Sequence, residues 1–385
     1  MLSRAERSIF ADWWWTVDRW FVFSVAALMV IGIVLALAGS PPVAEKLGLP
    51  PFHFVNKQLV YLLPAILLLV ATSFFSPRLV RRAALLVFLA GMAGIVIALL
   101  FGVEVKGARR WVFGLQPSEF VKPAFVIIAA WAFSEGARRK DVPGTLLAML
   151  LLPLTIVPLI LQPDFGQTML ISCVWASLFF MAGLHWFWVC GIGGVGAAGV
   201  YSAYQMLPHV RERIDRFLEP GNGPGTSDTF QVDIATESFL SGGWLGKGPG
   251  EGTFKRILPD SHTDFIFAVT GEEFGIAACI FLASIFAFIV LRGLILASRN
   301  ADPFCRFATA GLVVLFGLQS TINMAVNLSL IPAKGMTLPF ISYGGSSLIS
   351  MALGMGFLIA VTRKRPKSEL PGRIDDHPAV AGARA

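Results

Sequence analysis

Ten apolar runs, each near the length needed to cross a bilayer, follow one another along this chain of 385 residues. They lie at 21–39, 57–75, 81–101, 119–134, 145–161, 167–183, 187–207, 265–291, 304–330 and 347–362. A membrane's hydrocarbon core takes about 20 apolar residues per helix, and backbone groups inside it must be satisfied within their own segment. The chain therefore reads as an all-α integral membrane protein with about ten transmembrane helices. Charge argues against a soluble fold. Only 14% of the residues are charged, against about 25% in soluble proteins. That is too little to coat a water-facing surface, and enough to cover the ends of a bundle.

The basic residues assign the sides. Arg4, Arg7 and Arg19 precede the first run, and Arg78, Arg81 and Arg82 join the second to the third. Arg138, Arg139 and Lys140 follow the fourth, Arg292, Arg299 and Arg306 follow the eighth, and Arg363, Lys364, Arg365 and Lys367 follow the last. With ten crossings all of these fall on one side, which the positive-inside bias makes cytoplasmic, with both termini inside. The net charge of +7 is thus topological, and no basic face for nucleic acid emerges. Residues 1–20 form a cytoplasmic amphipathic segment containing Trp13-Trp14-Trp15, 21–362 a single membrane domain, and 363–385 a basic tail expected to be disordered. Ala36-Leu37-Ala38 resembles a signal-peptide cleavage site, but the run before it is long, which favours an uncleaved first helix.

The opposite side receives the loops 41–56, 102–118, 162–166, 208–264 and 332–346. In the long loop, Leu-Glu-Pro-Gly-Asn-Gly-Pro-Gly-Thr-Ser-Asp at 218–228 reads as a flexible turn. Residues 229–240 suit an amphipathic helix with Phe230, Ile234 and Phe239 toward the membrane. Cys173, Cys190, Cys279 and Cys305 show no metal spacing, and none lies in that loop, so no outward disulfide is implied.

Residues that break the bias carry the chemistry. Lys106, Arg109 and Arg110 lie outside, with Lys122 just inside the next helix; Arg211, Arg213, Arg216, Lys247, Lys255, Arg256 and Lys334 are also outward. Snorkelling and salt bridges to Glu212 or Asp215 account for the long-loop arginines. Lys106-Gly107-Ala108-Arg109-Arg110-Trp111 combines small residues with two guanidiniums, which suits a phosphate or pyrophosphate head group. Acids at membrane depth are costly and functional by default. Asp264 follows Ser261-His262-Thr263 at the entry to the eighth run, and Asp164 sits in a Gln-Pro-Asp-Phe-Gly turn where it can cap a helix. Glu119 stands three residues before Lys122, the spacing of a helical ion pair. Glu272 and Glu273, two turns into the eighth run, suit packing and hydrogen bonding better than chemistry. The glycine- and hydroxyl-rich stretch from Lys334 to Ser347, with Ser342, Ser346 and Ser347, would line a cavity and offer N–H groups to an anion.

Taken together, Lys106–Trp111, Pro117–Pro123, Gln162–Gly166, Leu258–Phe267 with Gly271-Glu272-Glu273, and Leu338–Ser347 resemble the SEDS family (shape, elongation, division and sporulation), the FtsW/RodA peptidoglycan glycosyltransferases. Five motifs in order carry the resemblance. The longer tail, Trp-rich start and Lys334-Gly335-Met336-Thr337 point to its division branch over its elongation branch. Pro259-Asp260-Ser261 departs slightly from the family, which often carries Glu there. The resemblance implies polymerisation of lipid II, an undecaprenyl-pyrophosphate-linked disaccharide-pentapeptide, on the outer face of the bacterial inner membrane during septal wall synthesis. It makes Asp264 the catalytic residue and carries Arg109 and Trp111 over as motif positions. Lys106, Arg109, Arg110, Trp111, Lys122, His262, Ser342, Ser346 and Ser347 are then the expected substrate-binding set, and Glu119, Asp164, Glu272 and Glu273 the supporting one. No ligand set compels a metal, although a divalent cation (Mg or Mn) would suit the leaving pyrophosphate. The implied partners are a class B penicillin-binding transpeptidase, other division membrane proteins and membrane lipid. A lipid II flippase and a division scaffold, the latter using segment 8–20, are the rival readings.

Overall fold

The computed structural model describes residues 8–105, 108–139, 141–183, 186–206, 211, 215, 227–258, 260–332 and 335–364. Helices α1 (Ile9–Thr16), α2 (Arg19–Gly39), α3 (Pro41–Lys46), α4 (His53–Ser73) and α5 (Pro77–Phe101) are followed by strands β1 (Val103–Val105) and β2 (Ala108–Trp111). Then come α6 (Pro117–Arg138), α7 (Gly144–Leu161), α8 (Phe165–Met181), α9 (Trp186–Met206), α10 (Ser227–Gly242), α11 (Ile266–Ser298), α12 (Pro303–Asn327) and α13 (Gly345–Thr362). Each of the ten apolar runs is carried by a helix. Among the described residues eight helices are long and apolar enough to cross a membrane, and α8 adds a shorter apolar one. Helix starts follow local chemistry. Asp18, Ser76 and Asp302 accept hydrogen bonds from the first-turn N–H groups of α2, α5 and α12, and Pro77 and Pro303 supply the proline tolerated in a first turn.

Contacts sort the helix ends into two sets. At one end Asp18 pairs with Arg292, Arg81 with Glu135, and Arg138 with Asp302. There Arg363 donates to the Thr16 hydroxyl at 3.0 Å, and Trp13 donates from Nε1 to Ser73 Oγ at 2.8 Å, which ties α1 across the termini. Trp13 of the N-terminal segment thus turns inward against Phe74, while Ile9 and Phe10 stay exposed. At the other end the segments at 102–105, 108–116, 162–164, 260–264 and 335–344 come together through hydrogen bonds to one another or to shared side chains.

Three sequence expectations change. The 102–118 loop contains an antiparallel hairpin, Val103 opposite Trp111 and Glu104 opposite Arg109. Helix α10 is present, but Ile234 is buried with Leu258, Phe265 and Val326, and Phe239 packs on Phe267, so these side chains face the protein. The side chain of Phe230, the flexible turn at 218–228 except its last two residues, and the tail beyond Lys364 lie outside the described residues. Finally, the eighth run is not one straight span. As a continuous helix, α11 with 33 residues would reach about 50 Å, well past a core of about 30 Å.

The chain resolves that mismatch at Gly275, whose φ of 80° and ψ of 176° break the helix into arms 266–274 and 276–298. Cys279 Sγ consequently lies 3.9 Å from the Phe267 carbonyl oxygen, 12 residues earlier, where a straight helix would separate the two levels by about 18 Å. The short arm carries Glu272 and Glu273 to the loop at 247–255. Only glycine suits the break, because a Cβ on Gly275 would collide with the Trp244 carbonyl oxygen and lie 2.5 Å from the Gly246 nitrogen. Gly275→Ala should lower the thermal unfolding midpoint in detergent by more than Gly48→Ala. The latter has φ 66° but open space around it, and costs about 1–2 kcal/mol of left-handed strain alone. Equal midpoints would show that the break is dispensable.

Candidate active site

The site is built on one face of α12. Gln319, Asn323 and Asn327 recur every fourth residue, so they stack along a single stripe, and all three are buried. The Gln319 carbonyl Oε1 accepts from Lys122 Nζ at 2.9 Å, and its Nε2 donates to the Thr337 carbonyl at 3.1 Å. Asn323 Nδ2 donates to the Asp264 carbonyl at 2.9 Å and the Met336 carbonyl at 2.6 Å. Asn327 Nδ2 also donates to the Asp264 carbonyl at 2.9 Å, while its Oδ1 accepts from the Ala268 N–H at 3.0 Å. Two amides thus hold the backbone of Asp264 against the segment at 336–337. The Asp264 side chain, partly exposed, brings Oδ2 within 3.4 Å of where a Cβ would stand on Gly335. The sequence reading missed this stripe. Its signal was polar amides at i, i+4 and i+8 within an apolar helix.

Lys122 is buried completely, 2.8 Å from Glu119 Oε2 in an i, i+3 pair. Glu119 Oε1 accepts from Gln167 Nε2 at 2.6 Å. Asp164 accepts at Oδ1 from the Gln167 N–H, capping α8, and at Oδ2 from Gln116 Nε2 at 3.4 Å. Burial raises the Asp164 carboxyl above its ordinary value, against the opposing pull of Arg110. Gln116 N–H in turn donates to Ser346 Oγ at 2.9 Å, and the Thr337 and Ser347 hydroxyls share a 2.6 Å bond. Ser342 Oγ accepts from the Leu338 N–H at 2.8 Å. The hydroxyls of the three serines expected in the substrate-binding set are thus engaged in fastening the segment at 337–347. That segment runs at helix depth beside α2 and α4. Gly32 lets the Phe340 carbonyl approach, since a Cβ there would collide with it, and Gln58 Nε2 donates to the Ile341 carbonyl at 3.4 Å.

Of the basic motif, the described residues show a division of labour. Arg110 donates from Nε to the Gln162 carbonyl at 3.1 Å and from Nη2 to the Pro163 carbonyl at 2.5 Å, with Asp164 3.9 Å away. Its fork fastens the hairpin to the 162–164 turn, a role beyond the substrate binding expected of it, because a carbonyl-rich turn lies within its reach. Arg109 points outward, half exposed and 3.7 Å from Glu104, and Trp111 is exposed beside it. Lys106 and Lys334 lie outside the described residues, as do Arg213 and Arg216, while Arg211 pairs with Asp215 at 3.6 Å. Glu272 accepts backbone N–H bonds from Thr253 at 2.5 Å, Phe254 at 2.9 Å and Lys255 at 3.1 Å. Glu273 pairs with buried Lys255, which also donates to the Ala38 carbonyl at 3.3 Å. These two acids shape the 247–255 loop and bind it to the end of α2.

His262 lies between Phe54 and Tyr343, with ring centroids at 4.5 and 5.4 Å, and its carbonyl accepts from the Tyr343 N–H at 3.0 Å. Burial pushes its pKa from 6.5 down to about 4. The imidazole is neutral at neutral pH, so it supplies shape and no positive charge to an anion. Among the described residues no group of three or more His, Cys, Asp and Glu side chains is placed to hold a metal ion.

A polytopic helical membrane protein with its polar, irregular segments gathered at one end is the class defined by this geometry. The sequence profile described as "Cell cycle protein", for the FtsW/RodA/SpoVE group, matches residues 19–367, and the chain belongs to that family. It is 44% identical over 369 residues to the probable peptidoglycan glycosyltransferase FtsW of Caulobacter vibrioides (strain NA1000 / CB15N), covering 94% of each chain. A probable peptidoglycan glycosyltransferase FtsW of Geobacter sulfurreducens (strain DL-1 / KN400) is 33% identical over 356 residues, covering 90% of this chain and 95% of that one. Among solved structures, a chain of a peptidoglycan synthase complex that coordinates polymerization and crosslinking superposes with TM-score 0.75 at 27% identity, over 90% of this chain and 97% of that one. The rod shape determining protein RodA of Thermus thermophilus gives TM-score 0.64 at 26% identity, over 90% and 96%.

Two outcomes test the site's physics. Lys122→Met leaves Glu119 buried without its cation and should cost about 3–5 kcal/mol, while adding Glu119→Gln should recover part of it. Thermal unfolding of the cycle in detergent reads this, and a double variant no better than the single would contradict the pairing. For His262 the folded pKa lies below the unfolded value of 6.5, so unfolding takes up protons between the two. Its contribution is present above pH 6.5 and is lost as pH falls toward about 4. Unfolding midpoints followed over that window should fall more for the wild type than for His262→Phe; parallel profiles would refute the neutral imidazole.

Proposed function

We propose that the chain is a peptidoglycan glycosyltransferase that polymerises lipid II at the outer face of the bacterial inner membrane, with Asp264 as its general base. The observation that carries this reading is the double amide grip on the Asp264 backbone, which fixes one partly exposed carboxylate where the outer-end segments meet. The naming of its relatives as peptidoglycan glycosyltransferases supports the reaction class.

The chemistry follows from the bond to be made. Converting an α-linked sugar pyrophosphate into a β-1,4 glycosidic bond inverts the anomeric carbon, hence a single in-line displacement. Inversion needs a base for the attacking hydroxyl and no second, nucleophilic carboxylate. Asp264 takes the proton of the sugar 4-hydroxyl as that oxygen attacks. The bond from the anomeric carbon to the pyrophosphate breaks, and the electron pair leaves with the phosphate. That charge falls to the chain's own cations: Arg109 at the exposed rim, and Lys106 beside it in the sequence. Buried Lys122 acts from within, through the Gln319 bond to the Thr337 carbonyl. Trp111 offers an aromatic face to sugar or lipid at the same rim.

The fit to a synthase that couples polymerization with crosslinking supports a transpeptidase partner, here of the class B penicillin-binding type, and the division-type relatives support a place at the septum. A flippase is the second reading. It would need polar groups at both faces for alternating access, whereas the described irregular segments gather at one end and ion pairs join helix termini at the other.

Asp264→Asn should fold with an unchanged unfolding midpoint, bind lipid II, and polymerise it about 10²–10⁴-fold more slowly. Gel-resolved glycan strands from purified protein, with and without the transpeptidase, read the effect. Near-normal strand synthesis by the variant would remove Asp264 from the chemistry.

A further inference from the structure

Residues 112–115 close a tight turn between the hairpin and α6. Val112 and Leu115 exchange backbone hydrogen bonds of 2.9 Å, and both central residues have positive φ, 49° at Phe113 and 76° at Gly114. Consecutive positive φ values define the turn that ordinarily takes Asn-Gly or Gly-Gly, and a bulky side chain in its first position is strained. Internal packing offers no reason for a phenylalanine there, because Phe113 is 100% exposed. Its neighbours are apolar and exposed as well: Phe101 at 80%, Val103 at 70%, and Trp111, which stands opposite Val103 across the hairpin.

Their level in the molecule says what covers them. Because Val103 pairs with Trp111, the turn at 112–115 returns to where α5 ends at Phe101 and α6 begins at Pro117. Along α5 the exposed apolar side chains Leu86, Leu89, Ile97 and Leu100 mark the face that meets lipid in a membrane protein, and Phe101 carries that face onto the hairpin. Aromatic side chains concentrate at that membrane boundary. Glu104 and Arg109, the charged pair of the hairpin, are also exposed and can reach into the head-group layer.

We infer that Phe101, Val103, Trp111 and Phe113 form a wedge seated in the outer leaflet, occupied by phospholipid acyl chains just beneath the head groups. The wedge fixes the depth of the strand that carries Arg109 and Arg110. Left-handed strain at Phe113 is then the cost of aiming its ring into lipid. This inference rests on the membrane fold and not on the reaction, so its failure would leave the assignment of Asp264 untouched.

The test places an environment-sensitive fluorophore on Phe113→Cys, in full-length protein reconstituted into phosphatidylethanolamine–phosphatidylglycerol vesicles. Wild-type protein labelled in parallel supplies the background from the native cysteines. Phospholipids carrying a nitroxide near the top of the acyl chain should quench most of the emission, and aqueous iodide should have little effect. A label on Glu251→Cys, in an exposed loop, should show the reverse pattern and proves that the probe reports both environments. Iodide quenching at position 113 without nitroxide quenching would overturn the wedge. Protection from both quenchers would overturn it too, since that pattern means a protein partner covers the turn.

Discussion

Three side-chain amides on α12 hold one end of this helix bundle together. In hydrocarbon a buried donor without an acceptor costs several kcal/mol, so Gln319, Asn323 and Asn327 must find partners. The partners they find are backbone carbonyls of non-helical segments. Thr337, Met336 and Asp264 belong to stretches whose own carbonyls lack helical donors. The need runs both ways: irregular backbone at this depth persists because the amides satisfy it, and the amides persist because that backbone is there. Remove the stripe and the 258–264 and 335–344 segments lose their common anchor.

Around that anchor the acidic and basic groups divide between support and chemistry. Glu272, Glu273 and Lys255 bind the 247–255 loop, and the break at Gly275 lets a short helical arm deliver the two acids to it. Arg110 ties the hairpin to the turn that Asp164 caps. Lys122 and Glu119 neutralise one another inside the bundle, with Gln319 relaying the cation to the Thr337 carbonyl. Asp264 and Arg109 keep partly exposed side chains at the end where these segments meet, Arg109 beside Glu104. In the function we propose, Asp264 supplies the base and Arg109 a cation at the rim, the two groups that an inverting transfer from a pyrophosphate requires.

Much of this was legible in the residues. Apolar runs near bilayer length located ten helices, since hydropathy at that scale is set by the lipid and hardly at all by tertiary contacts. The ordered motifs identified the family. What escaped was whatever depends on where the chain goes next. Gly275 gives no warning inside an apolar run; its break follows from the excess length of 266–298 and from the carbonyls of the 244–246 turn. Arg110 and Arg109 are adjacent and chemically alike, yet strand alternation sends one guanidinium to the 162–164 carbonyls and the other outward. His262 reads as a substrate-binding residue beside Asp264, and only the structure places its ring between Phe54 and Tyr343, where burial lowers its pKa. The amide stripe was visible as a spacing, but its partners were not.

The central claim is chemistry at one face of the membrane. Its most direct test uses sealed proteoliposomes of known protein orientation, with lipid II supplied to one leaflet at a time. The account predicts glycan strands when lipid II is in the leaflet bordering Arg109 and Asp264, and no strands when it is confined to the opposite leaflet. Lipid II crossing between leaflets with no strands formed from either side would contradict it and make the same residues a transport pathway.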